Sequence, residues 1–323
     1  MILKSYNDGL NPKQIMKKVF TVNGRHIFSW SVIEREINRM IEDGCDVKMH
    51  FKETIEKWEP KDFELEKSTT WKFRKRGDWA THNGNYRGNW PPEIPRNMIL
   101  KYTNLGDMVM DCFLGGGTTI LESRLLGRNA LGFDVNPFSI SLTDAQLEII
   151  NKEATRQGIN LPESEIKTEV ADARILSSVK DNSIDLICTH PPYFKTLRYT
   201  RDVEGDLSKI TKIDNFLTEM EKVAQQCYRT LKPGKHCAFL IGDIRINNNM
   251  YPLGFKLMET FLQAGFQLED IILKEQFNDR STAFYVSHKF LRISHEYLFV
   301  LQKPLCAASI SKVRKKRKTP DPV

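Results

Sequence analysis

The segment Thr189-His190-Pro191-Pro192-Tyr193 closes the apolar run 184–188 with two prolines and an aromatic ring. Proline has no N–H and fixes φ, so a strand ending this way leaves its sheet stiffly and presents carbonyl oxygens without competing donors. Bare acceptors beside an aromatic face suit a flat ring that carries an amino group, such as a nucleobase. An exocyclic amino nitrogen is a weak nucleophile because its lone pair is delocalised into the ring. Acceptors aimed at its N–H groups favour pyramidalisation and stabilise the positive charge that develops on alkylation. The Pro191 carbonyl is one such acceptor, the neutral ring of His190 a second, and Tyr193 a stacking surface, with Pro192 stiffening the turn. If His190 takes that part, activity falls as its imidazole protonates between pH 5 and 8, which rests on an ordinary histidine pKa of about 6.5.

A second strand end lies upstream. Asp111-Cys112-Phe113-Leu114-Gly115-Gly116-Gly117-Thr118-Thr119 follows an apolar stretch and opens a helix, where glycines let the backbone pass close to a ligand. Asp134 ends the next strand and suits ribose hydroxyls; Asp172 ends the third and suits an adenine amino group. Thr118-Thr119 stands where a dinucleotide site carries its third glycine, and the lysine of a P-loop is missing, so both of those sites fit less well. A plain strand–helix turn with packing glycines is the blander alternative. Three acidic strand ends around one glycine turn argue against it.

These strand ends need a sheet to hold them. The periodicity predicts strands over 108–113, 130–135, 167–170, 184–188, 237–242, 268–276 and 296–302, with helices over 94–102, 118–126, 139–151, 214–231 and 252–264. Alternation of this kind means right-handed crossovers and an α/β, Rossmann-like, seven-stranded and mostly parallel sheet. The last two strands have no helix between them and are expected as an antiparallel edge pair. Helix-start signals at Asn11-Pro12 and Ser31 to Glu34 predict a small N-terminal helical appendage. Residues 1–70 are read as that appendage with a linker, the linker continuing to about 92; 71–304 as the catalytic domain; and 305–323 as a basic disordered tail.

Of 323 residues, 40% are hydrophobic, enough for one substantial core. No apolar stretch nears the ~18 residues of a membrane span, and no secretory leader is evident, so a cytoplasmic location is expected. The six cysteines form no C-x-x-C pair, and no metal site is expected. Net charge is +7, but the tail carries Lys312, Arg314, Lys315, Lys316, Arg317 and Lys318 against Asp321, which leaves +2 for the rest. A surface for phosphates must therefore be local. Candidates are Arg74 and Arg76 among aromatic residues, Arg198 and Arg201 in the long loop after Tyr193, and Arg280 and Lys289 in a second loop.

The pattern D-x-F-x-G-x-G-T-T, then an acidic strand end, then P-P-Y resembles the S-adenosylmethionine-dependent DNA amino-methyltransferases, which modify adenine N6 or cytosine N4. The resemblance spans about 90 to 304, including Asn89-Trp90-Pro91-Pro92-Glu93 ahead of the glycine turn. It implies that Asp111, Phe113, Gly115, Gly117, Thr118, Thr119 and Pro92 surround the methionine end of S-adenosylmethionine, with Asp134 at its ribose and Asp172 at its adenine. It also implies a flipped base in double-stranded DNA, a cognate restriction endonuclease, and a monomer or homodimer. Cys112 stands in place of the family's usual proline. His190 replaces the Asp or Asn of adenine enzymes and the Ser of cytosine enzymes, which leans the reading toward cytosine N4. Alternatives are a tRNA guanosine-N2 methyltransferase and a non-catalytic module that binds cofactor or DNA.

Overall fold

The computed structural model describes residues 54–84, 86, 88–195, 199–200, 203–277 and 291–305, with the backbone of 21–22 and 25–26. Its main sheet contains β3 (Thr70–Trp71), β4 (Met108–Asp111), β5 (Asn129–Asp134), β6 (Ile166–Val170), β7 (Ile184–Thr189), β8 (Leu231–Ile241), β11 (Gln267–Glu275) and β12 (His295–Gln302). Their order across the sheet is β3-β11-β12-β8-β7-β4-β5-β6. Strands β6, β5, β4, β7 and β8 are mutually parallel, and β12 runs against both β8 and β11. All seven expected strands form. The antiparallel pair lies one position inside the edge, because the two-residue β3 adds itself in parallel to β11. A small hairpin of β9 (Ile244–Ile246) and β10 (Asn249–Tyr251) follows β8, and Thr21–Val22 pairs with Arg25–His26 in another, β1–β2.

The sheet is buried on both faces, which explains why its central strands read as nearly continuous apolar runs. Met110, Ile187, Cys237, Phe239, Ile241, Phe299 and Leu301 point to one face, among side chains of α4 (Ile213–Thr230) and α5 (Leu253–Gln263). Their neighbours Val109, Leu186, Ala238, Leu240, Leu298 and Val300 point to the other, where Ile94, Met98 and Ile99 of α1 (Glu93–Tyr102) and Ile120 of α2 (Thr118–Leu125) cover them. Phe216, Met220, Val223 and Cys227 of α4 recur at helical spacing and are fully buried. Helix α3 (Pro137–Gln157) starts at Asn136, whose side chain caps Phe138 N at 3.0 Å, and stops at the left-handed Gly158.

The stretch read as a linker up to about residue 92 is instead part of the core. Trp71 and Trp90 are buried with α1 and the sheet, while Ile55 and Trp79 pack on Leu121, Leu125 and Ile150 of α2 and α3. Glu122, fully buried on α2, accepts from Trp79 Nε1 at 2.6 Å and Arg96 Nη1 at 3.0 Å, with His82 Nε2 at 2.7 Å. One carboxylate thereby fastens this segment to α1 and α2. The expected N-terminal helices and the basic run of the tail lie outside the described residues, as do all of 278–290 and 306–323. No helix among the described residues is long and apolar enough to cross a membrane.

Candidate active site

A cleft opens at the carboxyl ends of β4, β5 and β7, and encloses about 740 Å³ including its mouth. This is the end of a parallel sheet at which successive strands diverge and ligands settle. Its floor is the turn after β4, where Gly117 caps α2 with φ +79°. A β-carbon there would also lie 2.4 Å from Thr143 Oγ1, so both conformation and space demand glycine. Asp111 joins the two strand ends singled out in the sequence. Its Oδ2 accepts from Thr119 Oγ1 at 2.7 Å, at the head of α2; its Oδ1 accepts from Thr189 Oγ1 at 2.6 Å, at the end of β7. The carboxyl is 2% exposed, and burial pushes its pKa up against those hydrogen bonds.

Four carboxylates belong to the cleft wall: Asp111, Asp134, Asp172 and Asp206. Asp134 is braced by two backbone donors, Gly115 N on Oδ2 and Asn136 N on Oδ1, each at 2.9 Å. Burial raises its pKa to about 6. Asp172 is clasped by Arg174, whose Nε lies 2.9 and 3.0 Å from its two oxygens and whose far side pairs with Glu219. Asp206 accepts from both N and Oγ1 of Thr200, which also lines the cleft. Tyr199 on the same loop stacks on Tyr86 from across the cleft, with ring centroids 6.3 Å apart. No lysine or arginine of the described residues lines the cleft. An acidic cavity with a braced carboxylate at its rim fits a cationic nucleoside with vicinal hydroxyls and disfavours a diphosphate.

His190 and Pro192 complete the wall on the β7 side. The His190 ring stacks on Trp90 at 5.4 Å and 19°, and meets Tyr193 edge-on. Burial lowers its pKa to about 4, with Glu296 pulling up and Lys274 pushing down. Its titration therefore falls below the pH 5–8 window expected from an ordinary histidine. The Tyr193 hydroxyl donates to Glu296 Oε1 at 2.7 Å. Burial, then Glu296, raises its pKa.

Of the residues singled out in the sequence, Asp111, Phe113, Gly115, Asp134, Asp172, His190 and Pro192 face the cleft. Thr118, Thr119 and Tyr193 stand one layer back, bonded to the wall residues Asn89, Asp111 and His190. Pro191 is buried, and Pro92 precedes α1 with Asn89 and Trp90 reaching the cleft in its stead. Arg76 corrects an expectation. Its Nη1 donates to the Asn89 carbonyl at 2.9 Å, and burial lowers its pKa to about 10. It supports the cleft wall from behind and is not a surface cation for phosphates. Arg74 is exposed, whereas Arg198, Arg201, Arg280 and Lys289 lie outside the described residues. Sequence reasoning passed over Tyr86 and Asp206, which sit in loops without periodicity; it placed Tyr199 with Arg198 and Arg201 in a loop for the target, not in this wall. It also passed over Glu296 and Lys274, because Lys274 is one of several charges on its strand and Glu296 lies near the start of an otherwise apolar one.

Residues 17–144 and 184–320 match the family model described as DNA methylase. Over 119 residues the chain is 26% identical to the type II methyltransferase M.MjaII of Methanocaldococcus jannaschii, covering 34% of this chain and 22% of that protein. Over 121 residues it is 28% identical to the type II methyltransferase M.BglI of Bacillus subtilis, covering 35% of each. Over 127 residues it is 28% identical to a tRNA (guanine(10)-N2)-dimethyltransferase of M. jannaschii, covering 38% of this chain and 34% of that one. The matched stretch is at most about a third of each relative's own length.

Proposed function

The chain belongs to the DNA methylase family of N6/N4 methyltransferases, and from that premise we propose that it methylates an exocyclic amino group of a base in double-stranded DNA, cytosine N4 ahead of adenine N6. S-adenosylmethionine supplies the electrophilic methyl group when bound. The observation that carries the reading is the acidic cleft, free of described cations, joined through Asp111 to the Pro-Pro-Tyr strand end. Asp134 would hold the ribose hydroxyls, and Asp172 and Asp206 would flank the adenine. Thr118 and Thr119 keep the glycine turn in shape through Asn89 and Asp111.

The target base must leave its duplex to reach this wall. The Pro191 carbonyl and the His190 ring would accept from its amino group, drawing out the nitrogen lone pair and stabilising the charge as the N–C bond forms at the expense of the sulfonium S–C bond, after which the surplus amino proton is lost to solvent. The lean to cytosine rests on His190. It is bulkier than the Asp, Asn or Ser the family uses there, and its stack on Trp90 leaves it little freedom to withdraw, which favours the smaller pyrimidine. By the same resemblance, a restriction endonuclease reading the same sequence is the expected partner.

Incubating the purified protein with methyl-labelled S-adenosylmethionine and, in parallel reactions, unmethylated duplex DNA or tRNA, then resolving the nucleosides by mass spectrometry, tests this directly. N4-methylcytosine is expected. N6-methyladenine corrects the base, and label appearing only in tRNA favours the guanosine-N2 reading that the tRNA relative supports.

A further inference from the structure

Two segments leave the sheet beside the cleft but take no part in its wall. Strands β3, β11, β8 and β7 run the same way, with β12 reversed among them. The register sets Trp71 of β3 beside Lys274, and Lys274 beside Glu296. Glu296 in turn lies against Gly242 and Tyr193. The chain that follows Trp71 and the chain that follows Gly242 therefore emerge at the level of the Pro-Pro-Tyr turn. At ~4.8 Å per strand, β3 stands about 19 Å from β7. That is the length of about five or six nucleotides along one DNA strand.

Lys72, Arg74 and Lys75 follow β3 and are exposed, with Phe73 packed edge-on against Trp71 at 5.9 Å. Lys72 pairs with Glu275 at 2.7 Å, so Arg74 and Lys75 carry the surplus positive charge of this segment. Gly242 leads through Asp243 into the β9–β10 hairpin, whose root is fixed. Asp243 accepts from Gly254 N at 3.0 Å and from the Tyr297 hydroxyl at 3.3 Å, and Ile244 is buried. The tip, Asn247 to Met250, is exposed and uncharged. Turn geometry accounts for Asn247 and Asn248, whose φ angles are +49° and +66°. Asn249 and Met250 have no such duty, and Met250 is 50% exposed. Asparagine amides read adenine edges, apolar side chains meet thymine methyl groups, and a two-stranded ribbon fits a major groove ~12 Å wide. Cations flanking an uncharged reading tip match phosphates flanking base edges.

We propose that the β9–β10 hairpin enters the major groove beside the target base, with Asn249 and Met250 at base edges, while Arg74 and Lys75 neutralise phosphates on its flank. Naming DNA as the occupant rests on the function proposed above.

Three measurements on the full chain decide it. In anisotropy titrations of a fluorescein-labelled mixed-sequence duplex, Arg74→Ala/Lys75→Ala should lower the slope of log affinity against log salt by about 1.8, or 0.9 for each lost contact. The control Lys152→Ala/Lys180→Ala removes two exposed lysines near the amino ends of β6 and β7 and should leave the slope unchanged. Equal slopes for all three proteins overturn the proposal. A benzophenone amino acid in place of Met250 should cross-link to the duplex on illumination, whereas one in place of Lys180 should not. Methyl green, which fills the major groove, should suppress that cross-link, and distamycin in the minor groove should spare it. No cross-link from position 250, or the reverse response to the two dyes, overturns the proposal. In labelled-methyl transfer to DNA, Asn249→Ala/Met250→Ala should lower kcat/KM on the order of 10-fold with cofactor Kd within about two-fold. An unchanged kcat/KM overturns the reading role of the tip. Tighter binding and stronger cross-linking of tRNA than of duplex overturn DNA as the occupant. If the unaltered protein methylates no DNA, the proposed function fails, and the salt slopes and cross-links still decide the surface.

Discussion

At the scale of single residues, two titrations separate the parts of the cleft. Asp134, with its pKa raised to about 6, is ionised at pH 7 and loses its charge as pH falls through that value. A carboxylate accepts hydroxyl hydrogen bonds better than the neutral acid does, so cofactor affinity should be full above pH 7 and decline toward pH 5. Calorimetric titration of S-adenosylmethionine should show this, and Asp134→Asn should bind about ten-fold more weakly with a flat profile. For folding the sign is opposite. The raised native pKa favours the protonated form, so this group's contribution to stability is present below about pH 4 and lost as pH rises through about 6. His190 behaves differently, with its native pKa lowered to about 4. Replacing it should reduce turnover without altering the shape of the rate profile between pH 5 and 8. A wild-type inflection near pH 6 that disappears in His190→Asn would contradict the burial of this ring. The sequence announced this histidine and its neighbours but not its pKa, because Trp90 and Glu296, which surround it, are distant in the chain.

At the scale of elements, legibility followed periodicity. Strands β4, β7, β8 and β12 alternate between two buried faces, and α4 carries its apolar residues at helical spacing, so their places could be read within a few residues. The stretch 54–92 could not, because its anchors are isolated tryptophans held by tertiary partners rather than by a repeating pattern. Its dependence on Glu122 can be measured. Glu122→Ala leaves Arg96 without its buried counter-charge and two further donors without an acceptor, and should cost about 3–5 kcal/mol in urea unfolding. Glu122→Gln keeps an acceptor and should cost less. Loss of the same order in both variants would mean that charge, rather than hydrogen bonding, holds the segment.

At the scale of the whole molecule, the cleft wall is acidic although the chain as a whole carries net positive charge. Outside the tail the net charge is only +2, and the cleft wall carries four carboxylates, so on the proposed function the attraction for DNA phosphates comes from elsewhere. The basic run 312–318 is the densest source in the sequence. Removing residues 311–323 should reduce the slope of log affinity against log salt, by about 0.9 for each phosphate that the tail neutralises. An unchanged slope in a filter-binding series would assign the phosphate-binding role to the loops and to Arg74. Charge balance was readable from composition, whereas the gathering of four carboxylates around one cleft was not, since it depends on how strand ends distant in sequence meet.

The reversed strand β12 has a consequence for how the protein is made. It lies between β8 and β11, yet it follows both in the chain. During synthesis, every residue that lines the cleft has left the ribosome before residue 295 does. The half that anchors His190 through Glu296 must wait for the last strand to slide between two earlier ones. Nascent chains arrested just short of β12 should therefore expose the cleft while the Pro-Pro-Tyr turn still lacks its anchor, so that the two halves of the site are joined only at the end of synthesis.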